Sequence, residues 1–179
     1  VFGETLDMGV GNFLDQIGRL LNIGFPAGKK IEESAIGGEY IKLPYKVKGM
    51  DVNFSGLYTY IINKIKNYKI SDLCYSIQET IFSELVEVTE RALAHCEKKE
   101  LVVTGGVACN KRLQEMCRVM CKERGAKYTP IPNEYAVDNG AMIAWTGLLK
   151  YKSQRRSDTI EELRTNQRTR TEQVEVVWR

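Results

Sequence analysis

The sequence predicts an α/β protein, short strands layered with helices, and three stretches carry that prediction. Leu101, Val102, Val103 and Thr104 have the composition of a buried strand and break at Gly105-Gly106. Asn110 then stands where an N-cap belongs, ahead of Leu113, Met116, Val119 and Met120 at helical spacing. A second such junction follows, with Asp138-Asn139-Gly140 leading into Ala141, Ile143, Ala144, Trp145 and Leu148. The third stretch is a sustained apolar stripe, Leu73, Ile77, Ile81, Leu85, Val88 and Leu93, which predicts one long helix. Strands interspersed with helices make a layered α/β arrangement, and 179 residues are enough to bury a substantial core as one domain.

Taken in order, Thr5 is a plausible cap for a first helix through Leu6, Val10, Phe13, Leu14, Ile17 and Leu21. Gly9 and Gly11 lie inside that helix and weaken it, which suggests that another backbone or a ligand comes close. Asp15 falls toward its polar side, where it either points into a cleft or is simply solvated. Residues 24–28 read as a turn, 29–36 as a short helix carrying Glu32 and Glu33, closed by Gly37-Gly38. Residues 51–56 read as a strand of alternating faces before a helix through Tyr60, Ile61 and Ile65. Asn63 to Lys69 is polar, a loop or helix end. Ser71 caps the long helix, which runs to about Cys96, and Gln78, Glu79, Glu84, Glu87 and Glu90 read as its solvated acidic face. A short strand over 126–129, a turn at Pro130 and Pro132, and the Asp138 junction follow. Residues 172–178 alternate like a final strand or an extended arm.

Strand, glycine pair and helix start form a geometry that lets a phosphate or nucleotide approach. The glycines remove side chains, and a helix start offers free N–H groups and a positive dipole end. Such a turn can equally just pack a helix on a sheet, but a carboxylate at a second junction favours a ligand cleft.

The net charge of +3 is too small to require nucleic acid as a partner. The basic residues gather late: Lys150, Lys152, Arg155, Arg156, Arg164, Arg168 and Arg170 stand against Asp158, Glu161 and Glu162. This tail could touch an RNA backbone, although a solvated segment is the plainer reading. No apolar run approaches membrane-spanning length and no signal peptide is visible. The chain starts without Met and Val1-Phe2 looks like the end of a strand, so it reads as a fragment. Five cysteines at irregular spacing argue for reduced thiols in an intracellular protein. Cys117 and Cys121, four apart on a predicted helix, could face one metal, but core packing is the commoner role. His95 is the only histidine and is expected at the surface or at a helix end, so no catalytic triad can be assembled.

Five motifs then resemble one family. They are residues 1–7 (Val1-Phe2-Gly3-Glu4-Thr5-Leu6-Asp7), 49–57 (with Phe54-Ser55-Gly56-Leu57), Ser76-Ile77-Gln78-Glu79-Thr80, Gly105-Gly106-Val107-Ala108-Cys109-Asn110 and Asp138-Asn139-Gly140-Ala141-Met142. Together and in this order they resemble the universal tRNA threonylcarbamoyladenosine synthase family, which includes bacterial TsaD and the catalytic subunit of the KEOPS complex. Residues 168–176 look like the C-terminal arm of the KEOPS type. An older description of the family, as a sialoglycoprotein endopeptidase, finds no peptidase chemistry here.

The resemblance implies an actin-like ATPase (ASKHA) fold, with residues 1–150 forming the second lobe and the edge of the first, and 151–179 a basic arm. It implies a metal-dependent transferase that moves threonylcarbamoyl from threonylcarbamoyl-AMP to the adenosine next to the anticodon of tRNA. Asp15, Gly28 and Glu32 match positions that bind the adenylate's ribose and base. Asn110, with Gly105 and Gly106 before it, matches the remaining nucleotide contact. Asp138 matches the carboxylate ligand of one divalent metal ion of iron or zinc type, a Lewis acid for the carbamoyl carbonyl. ATP is the other nucleotide expected. The family's two metal histidines are not in this chain, which by itself should be inactive. Ala27 stands where many relatives carry Gly. The implied partners are tRNA and KEOPS subunits, among them a small kinase-like ATPase docking on this lobe, with no membrane. The competing readings are a free-standing nucleotide-binding or scaffolding module and, last, a sugar-kinase or chaperone-type ATPase of the same fold.

Overall fold

Helices α1 (Val10–Leu20), α2 (Ala27–Ser34) and α4 (Ile70–His95) supply most of the core in the computed structural model, which describes every residue except Asp138, Arg156, Arg164, Asn166, Arg168 and Arg179. A hairpin of β1 (Val47–Lys48) and β2 (Asp51–Val52) and helix α3 (Ser55–Lys64) lie between α2 and α4. After α4 come β3 (Glu100–Val103), α5 (Lys111–Glu123) and β4 (Lys127–Pro130), with β3 and β4 parallel and Leu101 opposite Tyr128. Short α6 (Asn133–Ala136) and α7 (Gly140–Gln154) follow. The chain divides into two compact units, Phe2–Ala136 and, with Val1, Val137–Arg179. The expected mixture of strand and helix is present, and the division falls ahead of α7.

In the larger unit, Phe13, Ile17, Ile31, Phe54, Ile77, Ile81 and Phe82 are wholly buried. Phe13 and Phe54 meet at 5.4 Å between ring centroids. Cys117 and Cys121 fill the α5 side of the core, and burial raises the Cys117 thiol to about 11, so both behave as small apolar side chains. All five cysteines are free thiols. His95 ends α4 and lies against Phe2 at 4.9 Å between rings. In the smaller unit Asn139 caps α7, its Oδ1 accepting the Met142 N–H at 2.7 Å, and no α7 side chain is buried.

Several expectations need correction. The first helix starts at Val10, not Thr5, because residues 4–6 pair with β2: Leu6 N–H donates to Val52 O at 2.9 Å and Val52 N–H to Glu4 O at 3.1 Å. Gly9 is thus the N-cap, and Val1-Phe2 is not in a strand. The strand expected over 51–56 stops at Val52, because the Phe54 and Ser55 N–H groups turn to the Asp7 carboxylate, at 3.2 and 2.5 Å, to start α3. Burial alone would raise the Asp7 carboxyl, but the N–H groups of Met8, Ser55 and Phe54 hold it down near 2. Ser71 does not cap α4. The N-cap is Lys69, and no side chain bonds there.

The acidic face of α4 is the largest correction. Gln78 and Glu84 are buried, only 4% and 2% exposed, because α4 is covered on that side by α5 and by residues 39–48. Glu79 pairs with Arg112, Glu87 with Arg91 and Tyr45, and Glu90 with Arg124. At the far end, residues 172–178 form no strand: Thr171–Gln173 is one 3₁₀ turn and the described residues beyond it are irregular.

Candidate functional site

The candidate site is built by two local constructions in the larger unit. On one side α1 and α2 cross closely enough that a Cβ on Gly18 would lie 2.2 Å from the Ala27 Cβ, so glycine is required there. Asp15, half-buried on α1, accepts the Ala27 N–H through Oδ1 at 2.8 Å and so satisfies an orphan donor at the start of α2. Gly28 comes next, and the nearest atom to a Cβ built on it would be Leu14 Cδ1 at 4.0 Å, which leaves its surroundings open. Glu32, one turn on, directs Oε1 to the Lys111 N–H at 2.7 Å.

On the other side, β3 ends at Val103 and is followed, after Thr104, by Gly105 at φ +98° and ψ 162°, a conformation that side-chain-bearing residues rarely adopt. Its N–H donates to Ala136 O at 2.8 Å, the 3₁₀ turn Gly106–Cys109 follows, and Asn110 opens α5. The Asn110 Oδ1 accepts the Arg112 and Leu113 N–H groups at 2.9 and 3.1 Å, and its Nδ2 donates to the buried Gln78 Oε1 at 2.7 Å. The N-cap expected at Asn110 is present.

The two sides meet through the Glu32 bond to Lys111 and through Val107, whose Cγ2 would lie 3.6 Å from a Cβ on Gly11. The structure therefore brings α1, α2 and the Gly105–Asn110 turn together. It also changes the chemistry available there. The first three N–H groups of α5 are taken, Lys111 by Glu32 and the next two by Asn110, so the helix start does not offer free donors to a phosphate. Only the glycine turn allows close approach. Asp15 and Glu32 each use one oxygen internally, and Oδ2 and Oε2 have no protein partner among the described residues.

A groove of about 520 Å³ opens between α2, α4 and α5, with Glu32, Tyr75, Gln78, Glu79, Lys111 and Arg112 on its walls. Asp15, Gly28, Gly105 and Gly106 do not line it. The Arg112 guanidinium grips Glu79 with two bonds, at 2.6 and 2.8 Å, and Glu115 at 2.9 Å. The bonds to Glu79 raise its pKa above the ordinary value, so it stays charged. Sequence reasoning missed Gln78, Glu79 and Glu84 as structural partners. Their helical spacing resembles solvation, and nothing local announces partners elsewhere in the chain.

Asp138, matched to a metal ligand, lies outside the described residues. Among the described residues, no three His, Cys, Asp or Glu side chains come together to hold a metal. One carboxylate alone is not a donor set for a transition metal.

A strand, a strained glycine turn and a capped helix packed on a close helix pair define an α/β protein with a candidate ligand cleft. A family profile described as TsaD, tRNA N6-adenosine threonylcarbamoyltransferase, matches residues 1–145, and the chain belongs to that family. A tRNA N6-adenosine threonylcarbamoyltransferase of Thermococcus kodakarensis is 54% identical over 181 residues, covering 99% of this chain and 55% of that protein. A probable tRNA N6-adenosine threonylcarbamoyltransferase of Drosophila melanogaster is 46% identical over 199 residues, covering 100% and 57%. A probable bifunctional tRNA threonylcarbamoyladenosine biosynthesis protein of Methanothermobacter thermautotrophicus is 53% identical, covering 99% of this chain and 34% of that one. The chain spans about half the length of the first two relatives. Among solved structures, HypF of Thermococcus kodakarensis superposes with a TM-score of 0.61 at 24% identity, over 74% of this chain and 18% of that one, a likeness of fold alone. Among the described residues no helix is long and apolar enough to cross a membrane.

Proposed function

We propose that the complete protein is a tRNA threonylcarbamoyltransferase, moving threonylcarbamoyl from threonylcarbamoyl-AMP to the exocyclic amine of the adenosine next to the anticodon. In this proposal the chain supplies the second lobe of an actin-like ATPase fold, with the edge of the first, over residues 1–150, and 151–179 is a basic arm. The observation that carries the proposal, beside family membership, is the pair of anchored carboxylates. Asp15 and Glu32 are fixed by backbone N–H groups at 2.8 and 2.7 Å, and each keeps an oxygen without a protein partner among the described residues. Carboxylates so placed suit the hydroxyls of a ribose, as in other nucleotide sites.

In this proposal Asp15 and Glu32 orient the adenylate's ribose, the open space at Gly28 admits the base, and Gly105 and Gly106 let the phosphate come close. Asn110 holds the turn through its cap and contributes the remaining nucleotide contact. Asp138 is one ligand of a divalent metal whose other ligands would come from outside this chain. KEOPS-type subunits, including a kinase-like ATPase, are the proposed partners, and the cytoplasm and nucleus the proposed location.

The test is made on the complete protein with threonylcarbamoyl-AMP and tRNA. Glu32→Gln keeps an oxygen to accept the Lys111 N–H but removes the charge offered to ribose. We expect adenylate affinity to fall about tenfold or more, the cost of a lost charge-assisted hydrogen bond. Unchanged affinity would overturn the assignment of Glu32, and absence of transfer by the wild-type protein would overturn the function.

A further inference from the structure

Residues 39–48 run as a strap along α4. Asp72 Oδ1 accepts the Glu39 N–H at 2.9 Å, Ser76 Oγ the Ile41 N–H at 2.7 Å and Glu84 Oε1 the Lys46 N–H at 2.8 Å, while Tyr45 Oη donates to Glu87. From Asp72 to Glu84 the helix rises about 18 Å. Seven strap residues reach about 23 Å at full extension, so the strap is close to extended over this length.

An extended segment with one side against a helix shows its residues alternately inward and outward. Ile41, Leu43 and Val47 are buried or half-buried, and Tyr45 turns its hydroxyl to α4. Tyr40, Lys42, Lys46 and Lys48 are exposed. Lys46 and Lys48 are thus spaced by about 6.6 Å of backbone and Lys42 and Lys46 by about 13 Å, all on the outer side. Among the described residues none of these lysines lies within ion-pair distance of a carboxylate. In the basic tail, Lys150 is paired with Asp158 at 2.8 Å and Arg170 with Glu172 at 2.7 Å, whereas Lys152 and Arg155, like the strap lysines, have no carboxylate within ion-pair distance among the described residues.

We infer that the outer edge of this strap, Lys42, Lys46 and Lys48 with Tyr40, is a contact surface for the phosphate backbone of tRNA. This deepens the proposed function and rests on tRNA being the substrate. A linear row of unpaired point charges on a fixed extended backbone suits a linear polyanion and positions it without reading sequence. Tyr40, 59% exposed at one end of the row, offers a face on which an unpaired base can stack. An acidic protein partner would be expected to bury apolar area beside the charges, and the strap turns its aliphatic residues inward instead.

The test is the binding of a tRNA transcript to this chain by fluorescence anisotropy across a salt series, comparing wild type, K42Q/K46Q/K48Q and the charge-matched K98Q/K99Q/K122Q. All six lysines are exposed, so neither variant removes a core contact. The strap variant should bind at least about a hundredfold more weakly near 0.1 M salt, and its log–log salt slope should shrink by about two to three, as loss of three phosphate contacts requires. The control should stay close to wild type. Unchanged binding by the strap variant overturns the strap while leaving the transferase proposal standing. Equal losses in both variants would show that net charge alone matters, and no tRNA binding by the wild-type chain would also overturn the strap. Displacement of the tRNA by polyglutamate at matched charge would reassign the surface to an acidic protein. Transfer activity of the complete enzyme judges the functional proposal separately.

Discussion

Asn110 satisfies the Arg112 and Leu113 N–H groups with one oxygen and holds the buried Gln78 with its nitrogen. Asn110→Ala removes a helix cap and leaves a buried amide oxygen unpaired, so it should lower unfolding stability by about 2–3 kcal/mol in a denaturant titration. A loss under about 0.5 kcal/mol, the level of ordinary surface substitutions, would show that water replaces both roles. The cap is legible in the sequence because capping is local: the residue type and its distance to Leu113 suffice. Gln78 is not legible as its partner, because the two lie 32 residues apart and meet only when α4 packs on α5. The same holds for Asp15 and Glu32. Their side chains can be named as candidate ligands from the family resemblance, but their bonds to Ala27 and Lys111 belong to helix packing.

At the scale of elements, the strap over 39–48 and α4 are joined by a carboxylate that should make their docking depend on pH. Burial raises the Glu84 carboxyl to about 7; the Lys46 N–H opposes this and the Glu87 charge adds to it. Glu84 Oε2 and the Thr80 Oγ1 one turn earlier have no hydrogen-bond partner among the described residues. Around Glu84, α4 contributes Glu87 and Arg91, and the strap Tyr45 and Lys46. A raised acid favours the neutral form in the folded chain. Its stabilisation is therefore full below about pH 4.5 and is lost as pH rises through about 7. The difference in thermal stability between wild type and Glu84→Gln, measured from pH 5 to 9, should shift against the wild type as pH rises and level off beyond about 7. Parallel pH curves would show that Glu84 is charged throughout. The sequence presents Glu84 as one more carboxylate on an acidic face, since burial by a strap arriving from residues 39–48 has no signature at Glu84 itself.

For the whole molecule, every buried side chain among the described residues belongs to Phe2–Ala136, and α7 has none. A chain ending at Ala136 keeps the Gly105 bond to Ala136 O and should keep one cooperative unfolding transition by circular dichroism. A broad, non-cooperative melt would show that residues 137–179 are needed for the core. The sequence by itself determined the α/β class, the long α4, the capped α5 after a glycine turn, and membership of the TsaD family. All of these rest on periodicity, local capping or motif order along the chain. Only the tertiary structure decided that the first helix begins at Val10, that the helix start at Asn110 has no free donors, and that Gln78 and Glu84 are interior. Each of these depends on a hydrogen-bond partner brought in from another part of the chain, and a burial pattern set by such partners cannot be read from the periodicity of one helix.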